Sequence, residues 1–305
     1  MAVYTDLNAK DIELILSKYN LKLTEYHKIK NGILNTNYFI KTDRGKFVLR
    51  VFEGGRKFEE ENLELDFLLD LNSVLPCCLP LKTVTGENYV VCNDKMIALF
   101  HFIHGDPIKR VDEEVIKEIA KYIGMLHNYS INKKLNRKSR IDMDFYYNNI
   151  DFENNNIPEE DKKKILSAYE KVKHIDFSEL PSGIIHNDIF PDNVFIDNNK
   201  IVGILDFNES QTGPFIMDLA IIINYWIRIN RFPKEEEDKL IKLLLDEYQK
   251  ERVLTKEEIE LLKYANLKMA VTFILLRLYK FNYENLNDIL IEEKNYTQLM
   301  PLLEK

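Results

Sequence analysis

Only three cysteines occur in the 305 residues, Cys77, Cys78 and Cys92. An odd number with one adjacent pair, and no histidine at ligand spacing, excludes a disulfide framework and gives no zinc site; the three read as reduced core thiols. Basic residues are not in surplus either: 42 Lys+Arg stand against 50 Asp+Glu, a net charge of −8 spread along the whole length. That balance argues against nucleic acid or an anionic membrane as partner and leaves a cationic or zwitterionic small molecule open. No apolar run reaches the roughly 20 residues that a bilayer requires. The most apolar window, 214–227, is interrupted by Asp218 and Asn224 and reads as a buried helix. The opening Met1-Ala2-Val3-Tyr4-Thr5-Asp6 lacks the basic start and apolar core of a secretory signal, so a cytoplasmic location is expected. Repeats and low-complexity tracts are missing as well, with 148–156 a polar loop at most.

What is present is a 45% apolar chain long enough for two lobes with their own cores. Asn8 is placed to cap a helix over 9–18, and β-rich stretches follow over 23–30, 35–42 and 46–52, with Asp43-Arg44-Gly45 turning the last pair. The spacing of Phe58, Leu65, Leu68, Leu69 and Leu71 predicts a helix over 57–71. Three more extended stretches are expected over 81–103. From Val111 onward the pattern is helical, with Val115, Ile119, Ile123 and Leu126 forming one stripe. It is interrupted by one small β insert, 194–196 with 201–205. Whether 255–283 is one helix or two stays open. The expected fold class is α+β: a β-rich N-terminal lobe with connector over 1–103 and a mainly helical C-terminal lobe over 104–305, the order of a protein-kinase-like fold.

The chemistry is concentrated in His186-Asn187-Asp188-Ile189-Phe190-Pro191-Asp192-Asn193, which is followed by the β insert and then Asp206-Phe207. Phosphoryl transfer needs a carboxylate beside the attacking hydroxyl and hard oxygen ligands for the Mg2+ that bridges the phosphates. The spacing matches an H-x-D-x-x-x-x-N loop followed by a D-F dipeptide. Asp188 is therefore the expected catalytic residue, with Asn193 and Asp206 as metal ligands. Any one of them alone would pass for a turn residue or a cap; the four in this order, between two apolar strands, do not. Asp218 lies among Phe215, Ile216, Met217, Leu219 and Ala220, where a carboxylate is costly unless it accepts strong hydrogen bonds. It is assigned to backbone amides of the loop or to His186, and His186 is read as an orienting core residue.

ATP is expected in the β-rich lobe. Residues 31–37 lie between two strands, where a phosphate-covering loop belongs, but carry one glycine and no G-x-G-x-x-G pattern. The side chains of Asn35, Thr36 and Asn37, with backbone N–H groups, are the candidates there. Arg50 occupies the strand position from which a cation would reach phosphate, or is a plain surface cation of that strand. Its carboxylate partner is Glu64 or Glu60, both on the next helix. Adenine is expected against the connector 99–103, with Phe100 and Phe102.

These residues resemble the aminoglycoside phosphotransferase and choline kinase superfamily, and within it the bacterial homoserine kinases, over nearly the whole chain. The resemblance rests on the opening Met1-Ala2-Val3-Tyr4-Thr5-Asp6, on Asn35-Thr36-Asn37-Tyr38-Phe39, and on Leu180-Pro181-Ser182-Gly183-Ile184-Ile185-His186. It continues through Phe190-Pro191-Asp192-Asn193-Val194-Phe195, 218–226 and Leu276-Arg277-Leu278-Tyr279. It implies ATP- and Mg2+-dependent phosphorylation of the L-homoserine hydroxyl, a step toward threonine. A zwitterionic acceptor needs a cation for its carboxylate, for which Arg277 is the candidate, with a structural salt bridge as the other reading. It also needs an anion for its ammonium, and Asn208-Glu209 would put a carboxylate near the acceptor. The stretch 208–213 departs from the family, which tends to carry aromatic and small residues there. Choline, methylthioribose or an aminoglycoside are the alternative acceptors, and a nucleotide-binding regulator that has lost transfer is the reading from another class. Oligomeric state is not written in the sequence.

Overall fold

A computed structural model describes residues 5–29, 35–137, 140–153, 157–283 and 295–304. Residues 1–4 of the opening segment and 31–34 of the expected phosphate loop lie outside them. The chain folds into two compact units, one of residues 1–106 with 195–208, the other of 107–194 with 209–305.

The first unit begins with helix α1 (Ala9–Ser17), whose first turn closes a capping box. Asn8 accepts from the amides of Lys10 and Asp11, and the Asp11 carboxylate accepts from the Asn8 amide. A five-stranded antiparallel sheet follows in the order β1 (Leu23–Ile29), β2 (Thr36–Thr42), β3 (Gly45–Val51), β5 (Lys95–His101), β4 (Val90–Cys92). Strict alternation buries Tyr38 and Ile40 of β2 and Phe47, Leu49 and Val51 of β3, and these pack with Ile12, Ile15 and Leu16 of α1 in one core. Asn93 and Asp94 both hold positive φ, 51° and 58°, the conformation of a two-residue hairpin turn between β4 and β5. Helix α2 (Phe58–Leu71) buries Leu65, Leu68 and Leu71 and, with them, the carboxylates of Glu61 and Glu64.

Of the three strands expected over 81–103 two exist. The stretch before β4 touches β5 only briefly, the Leu81 amide donating to the Leu99 carbonyl at 2.7 Å and the His101 amide to the Leu79 carbonyl at 3.0 Å around a bridge of Pro80 with Phe100. It does not lengthen into a strand because 83–87 is spent on a turn closed by Thr83 and Glu87. Leu99 to His101 belong to β5, so the strand extends into what was read as connector. The hairpin Val194–Asp197 and Lys200–Ile204 turns at Asn198-Asn199, both with positive φ. Residues 195–208 join the first unit, unlike the contiguous division at 103/104: the Ile204 amide donates to the Pro76 carbonyl at 2.8 Å, and the Phe207 ring meets Phe67 edge-on at 6.2 Å. Cys77, Cys78 and Cys92 are free, but half-buried rather than core. Burial pushes the Cys77 and Cys78 thiols up to about 12, which keeps them protonated.

The second unit is built on α3 (Glu113–Ser130), α4 (Met143–Asn149), α5 (Glu159–Val172), α6 (Ile216–Ile222), α7 (Lys234–Tyr248) and α8 (Lys256–Tyr283). The open question at 255–283 resolves to one continuous helix. Every residue of α6 is buried, and the chain continues from it into a π-turn, Ile223–Ile227. A two-stranded antiparallel sheet, Ser182–Ile185 with Gln211–Pro214, escaped the pattern reading; it pairs Ile185 with Gln211 and Ser182 with Pro214. Helix α4 escaped it too, its last two residues, Asn148 and Asn149, falling in the stretch 148–156 that read as a polar loop. Among the described residues no helix is long and apolar enough to cross a membrane.

Candidate active site

In the second unit, strand Ser182–Ile185 runs directly into the loop 186–193. Asn187 takes φ 65°, a left-handed conformation that asparagine tolerates better than most residues, and this reverses the chain before Asp188. The reversal is held by the fully buried Asp218: Oδ2 accepts from the His186 amide and Oδ1 from the Asn187 amide, both at 2.8 Å. Trp226 of the π-turn donates its indole N–H to the Ile189 carbonyl at 2.7 Å, fixing the other side. Pro191 opens a single 3-10 turn, Pro191–Asn193. Asn193 then donates through Nδ2 to the Asp188 carbonyl at 2.8 Å and to Asp188 Oδ2 at 3.1 Å. The Asp188 amide donates to His186 Nδ1 at 3.3 Å, so the histidine orients the loop. Asp188, Asn193, His186 and Asp218 are thus brought together.

Behind Asp218 lies a buried chain that the sequence reading missed. Arg252 donates through Nη1 to Tyr248 Oη (2.9 Å) and through Nη2 to both oxygens of Glu258 (2.8 and 2.9 Å). Tyr248 Oη lies 2.9 Å from His127 Nδ1, and His127 Nε2 lies 3.1 Å from Asp218 Oδ2. With the guanidinium occupying the phenol oxygen, the phenol proton goes to Nδ1 and His127 donates from Nε2 to the carboxylate. Burial pulls His127 below its ordinary value, overriding the pull of Asp218, so the ring is neutral. Burial alone would push the Asp218 carboxyl up, but His127, His186 and the Asn187 amide together hold it below the usual range. The readable signal for His127 was its place four residues after Ile123 on the stripe of α3.

In the first unit, Arg50 of β3 points its Nη1 at Glu64 Oε1 (3.3 Å) and Asp206 Oδ1 (3.6 Å), which decides the partner between Glu60 and Glu64. Burial would lower the Arg50 pKa, yet Asp206 and Glu64 more than offset it and raise it. Its guanidinium carbon sits 5.0 Å from the Phe100 ring centroid, and Phe102 meets Phe39 edge-on at 5.5 Å. Asp206 itself takes φ 59°, a strained setting for any residue but glycine, asparagine or aspartate. Its Oδ1, Arg50 Nε and Asn37 Oδ1 are buried without a hydrogen-bond partner among the described residues, and Asn37 pairs with Arg50 across β2 and β3. Arg50 thus brings an unspent donor next to unspent acceptors on Asn37 and Asp206, a polar cluster that a bound polar ligand could satisfy.

Three expectations need correction. Asn35 and Thr36 are turned toward Glu53: Asn35 Oδ1 accepts from its amide, and Thr36 Oγ1 donates its proton to the Glu53 carboxylate and is thereby spent. Asn208 is buried rather than facing an acceptor. Its Nδ2 donates to Glu61 Oε2 (3.2 Å) and Glu64 Oε2 (2.8 Å), and its carbonyl accepts from Arg56 Nη1 at 2.6 Å. Arg277 is turned to the C-terminal segment, donating through Nη1 to the Asn295 carbonyl (3.1 Å) and Gln298 Oε1 (3.4 Å). Glu209, by contrast, lies at the loop: its carbonyl accepts from Asn187 Nδ2 at 3.3 Å, and its Oε1 pairs with Arg140 Nη2 at 2.7 Å.

A metal fits only with outside oxygens. Among the described residues no group of three His, Cys, Asp or Glu could hold one alone. In the second unit Asn193, its Nδ2 committed to Asp188, keeps Oδ1 as an acceptor, and in the first unit Asp206 has an Oδ1 without a hydrogen-bond partner among the described residues. Each of these oxygens is a hard donor of the kind that suits an ion keeping water and phosphate oxygens in its shell.

The model of the phosphotransferase enzyme family matches residues 25–254. This chain belongs to that family. The phosphotransferase is 29% identical over 295 residues to the homoserine kinase of Parvibaculum lavamentivorans, covering 92% of this chain and 88% of that one. It is 27% identical over 286 residues to the homoserine kinase of Sinorhizobium medicae, covering 92% and 86%. Among solved structures, an amicoumacin kinase in complex with AMP-PNP and Ca2+ superposes with a TM-score of 0.74 at 14% identity, over 97% of this chain and 91% of that one. The fold of the phosphotransferase is accordingly protein-kinase-like α+β.

Proposed function

We propose that this phosphotransferase moves the γ-phosphoryl group of ATP to the side-chain hydroxyl of L-homoserine, giving the phosphate ester and ADP and releasing the hydroxyl proton. The observation that carries the transfer is the fastening of Asp188. The backbone just before it is set by Asp218 through the amides of His186 and Asn187, and its carboxylate is gripped by Asn193. A carboxylate held this firmly accepts the hydrogen bond of an incoming hydroxyl and aims its oxygen at phosphorus, which is most of what such a reaction asks of a protein. Likeness to homoserine kinases over 92% of the chain supports the acceptor.

Arg50 would contact phosphate oxygens, held in place by Glu64, with Asn37 beside it and Phe100 and Phe102 toward the base. Asn193 and Asp206 would hold Mg2+, which when bound neutralises charge on the phosphates. A cytoplasmic location goes with the use of ATP. The test is ADP release from Mg·ATP with L-homoserine, choline, methylthioribose and kanamycin. Turnover of homoserine above the others is expected, and turnover of choline or kanamycin without homoserine would overturn the acceptor. Asp188→Ala should keep ATP binding and lose turnover by about 10³-fold or more; near-normal turnover would sink the role.

A further inference from the structure

The helical unit carries an ion pair on the segment bonded to His186 and Asn187 that the transfer chemistry does not use. Arg140 Nη2 meets Glu209 Oε1 at 2.7 Å, with 24% and 15% of the side chains exposed, so the pair is shielded yet reachable. Both members are tethered. Arg140 accepts at its carbonyl from Tyr146 Oη. Next to Glu209, Ser210 gives its carbonyl to Arg137 Nε at 2.8 Å and its hydroxyl to the His186 carbonyl at 3.3 Å. Since the Glu209 carbonyl also accepts from Asn187 Nδ2, the segment 209–210 is stitched to the two residues that precede Asp188.

We propose that Arg140 and Glu209 form the acceptor's recognition dyad, Arg140 taking the α-carboxylate and Glu209 the α-ammonium of a hydroxyl amino acid. The proposal rests on the reading of an amino-acid acceptor above and adds the residue that binds its carboxylate. A planar guanidinium matches a carboxylate with two parallel N–H bonds. The pair already contains one charge of each sign, so a zwitterion that inserts between them exchanges like for like and leaves no charge uncompensated. A singly charged acceptor replaces only one half of the pair and meets only one of the two charges, and that deficit is the source of selectivity. Arg277, committed to the C-terminal segment, is not needed for this.

The test compares L-homoserine, 3-amino-1-propanol (ammonium only) and 4-hydroxybutyrate (carboxylate only). Binding is measured by calorimetry with AMP-PNP and Mg2+ present, and kcat/KM with Mg·ATP. The wild-type enzyme should prefer L-homoserine to either analogue. Arg140→Gln should weaken L-homoserine by roughly 100-fold, while 3-amino-1-propanol holds or improves, because Glu209 then lacks its competitor. Glu209→Gln should do the reverse, sparing 4-hydroxybutyrate, and ATP affinity should stay unchanged in both. Loss of all three acceptors in proportion, or wild-type binding of L-homoserine no tighter than of the analogues, would overturn the dyad. Selective binding of L-homoserine without its phosphorylation would leave the dyad standing and overturn the activity instead.

Discussion

At the scale of single residues, the site is a problem of keeping one carboxylate ionised where water does not reach. Asp218 accepts from two loop amides and from His127, and each bond is favourable only while the group is charged. Asp218→Asn keeps the shape but sets an NH2 against a donor, and should cost about 3 kcal/mol in urea unfolding while lowering kcat more than it changes the KM for ATP. Acid sensitivity follows with a definite sign. The folded pKa of His127 lies below the ordinary 6.5, so as pH falls below 6.5 the unfolded chain takes up the proton first. Stability is full above that value and drains on acidification. Asp218, held below 3.8, adds a second loss as pH falls through its own folded value. His127→Gln should flatten the first of these slopes in melts taken between pH 7 and pH 5, and should also weaken the second, because His127 is one of the groups that hold the Asp218 carboxyl down. Asp218 was legible because a carboxylate in an apolar helix demands partners. Its suppliers were not: His127 is 91 residues away, and Tyr248 stands 121 from His127. Nothing local marks such pairs.

The elements show why the loop is where it is. Strand Ser182–Ile185 feeds Asp188 into position, and it is pressed against the end of α3. Ser130 Oγ donates to the Ile184 carbonyl at 2.9 Å, and a Cβ added to Gly183 would come within 2.2 Å of the Ser130 carbonyl oxygen. Backbone cannot yield as a long side chain does, so Gly183→Ala should destabilise by about 1–3 kcal/mol, read as a lowered melting temperature. Activity should fall with it, since the strand carries the loop. This two-stranded sheet could not be seen in the sequence. Four-residue strands containing glycine or proline give no alternation to count, and their partners are 26 or more positions apart along the chain. The longer β1, β2 and β3, with alternation and a turn signal between β2 and β3, were readable. So was the 186–193 loop, because its chemistry is local in the chain.

As a whole molecule, the phosphotransferase divides the work between units that the chain enters twice. The first unit closes only when residues 195–208 return to it, and this puts Asp206 with Arg50 and Glu64 while Asp188 and Asn193 stay with the helices. A contiguous split was the natural reading of the composition. The return of a short hairpin shows only in contacts such as Ile204 with Pro76. Ligand linkage supplies the test at this scale. Mg·ATP at 100 times its dissociation constant should stabilise the fold by about 2.7 kcal/mol, and EDTA should remove the metal-dependent part of the gain and stop turnover. Asp206→Asn should show that reduced gain from the start. A full response to Mg2+ in this variant would refute a metal role for Asp206.

The seat of Asn208 bears on how this enzyme would be blocked. The amide is clasped by Glu61 and Glu64, the carbonyl by Arg56, and the neighbouring Phe207 ring by Phe67. An inhibitor that gains its grip by prising Asp206 and Phe207 outward would have to break all of these, including both hydrogen bonds from Asn208 to buried carboxylates. Compounds that leave this latch shut and compete for the nucleotide should therefore be the easier ones to find.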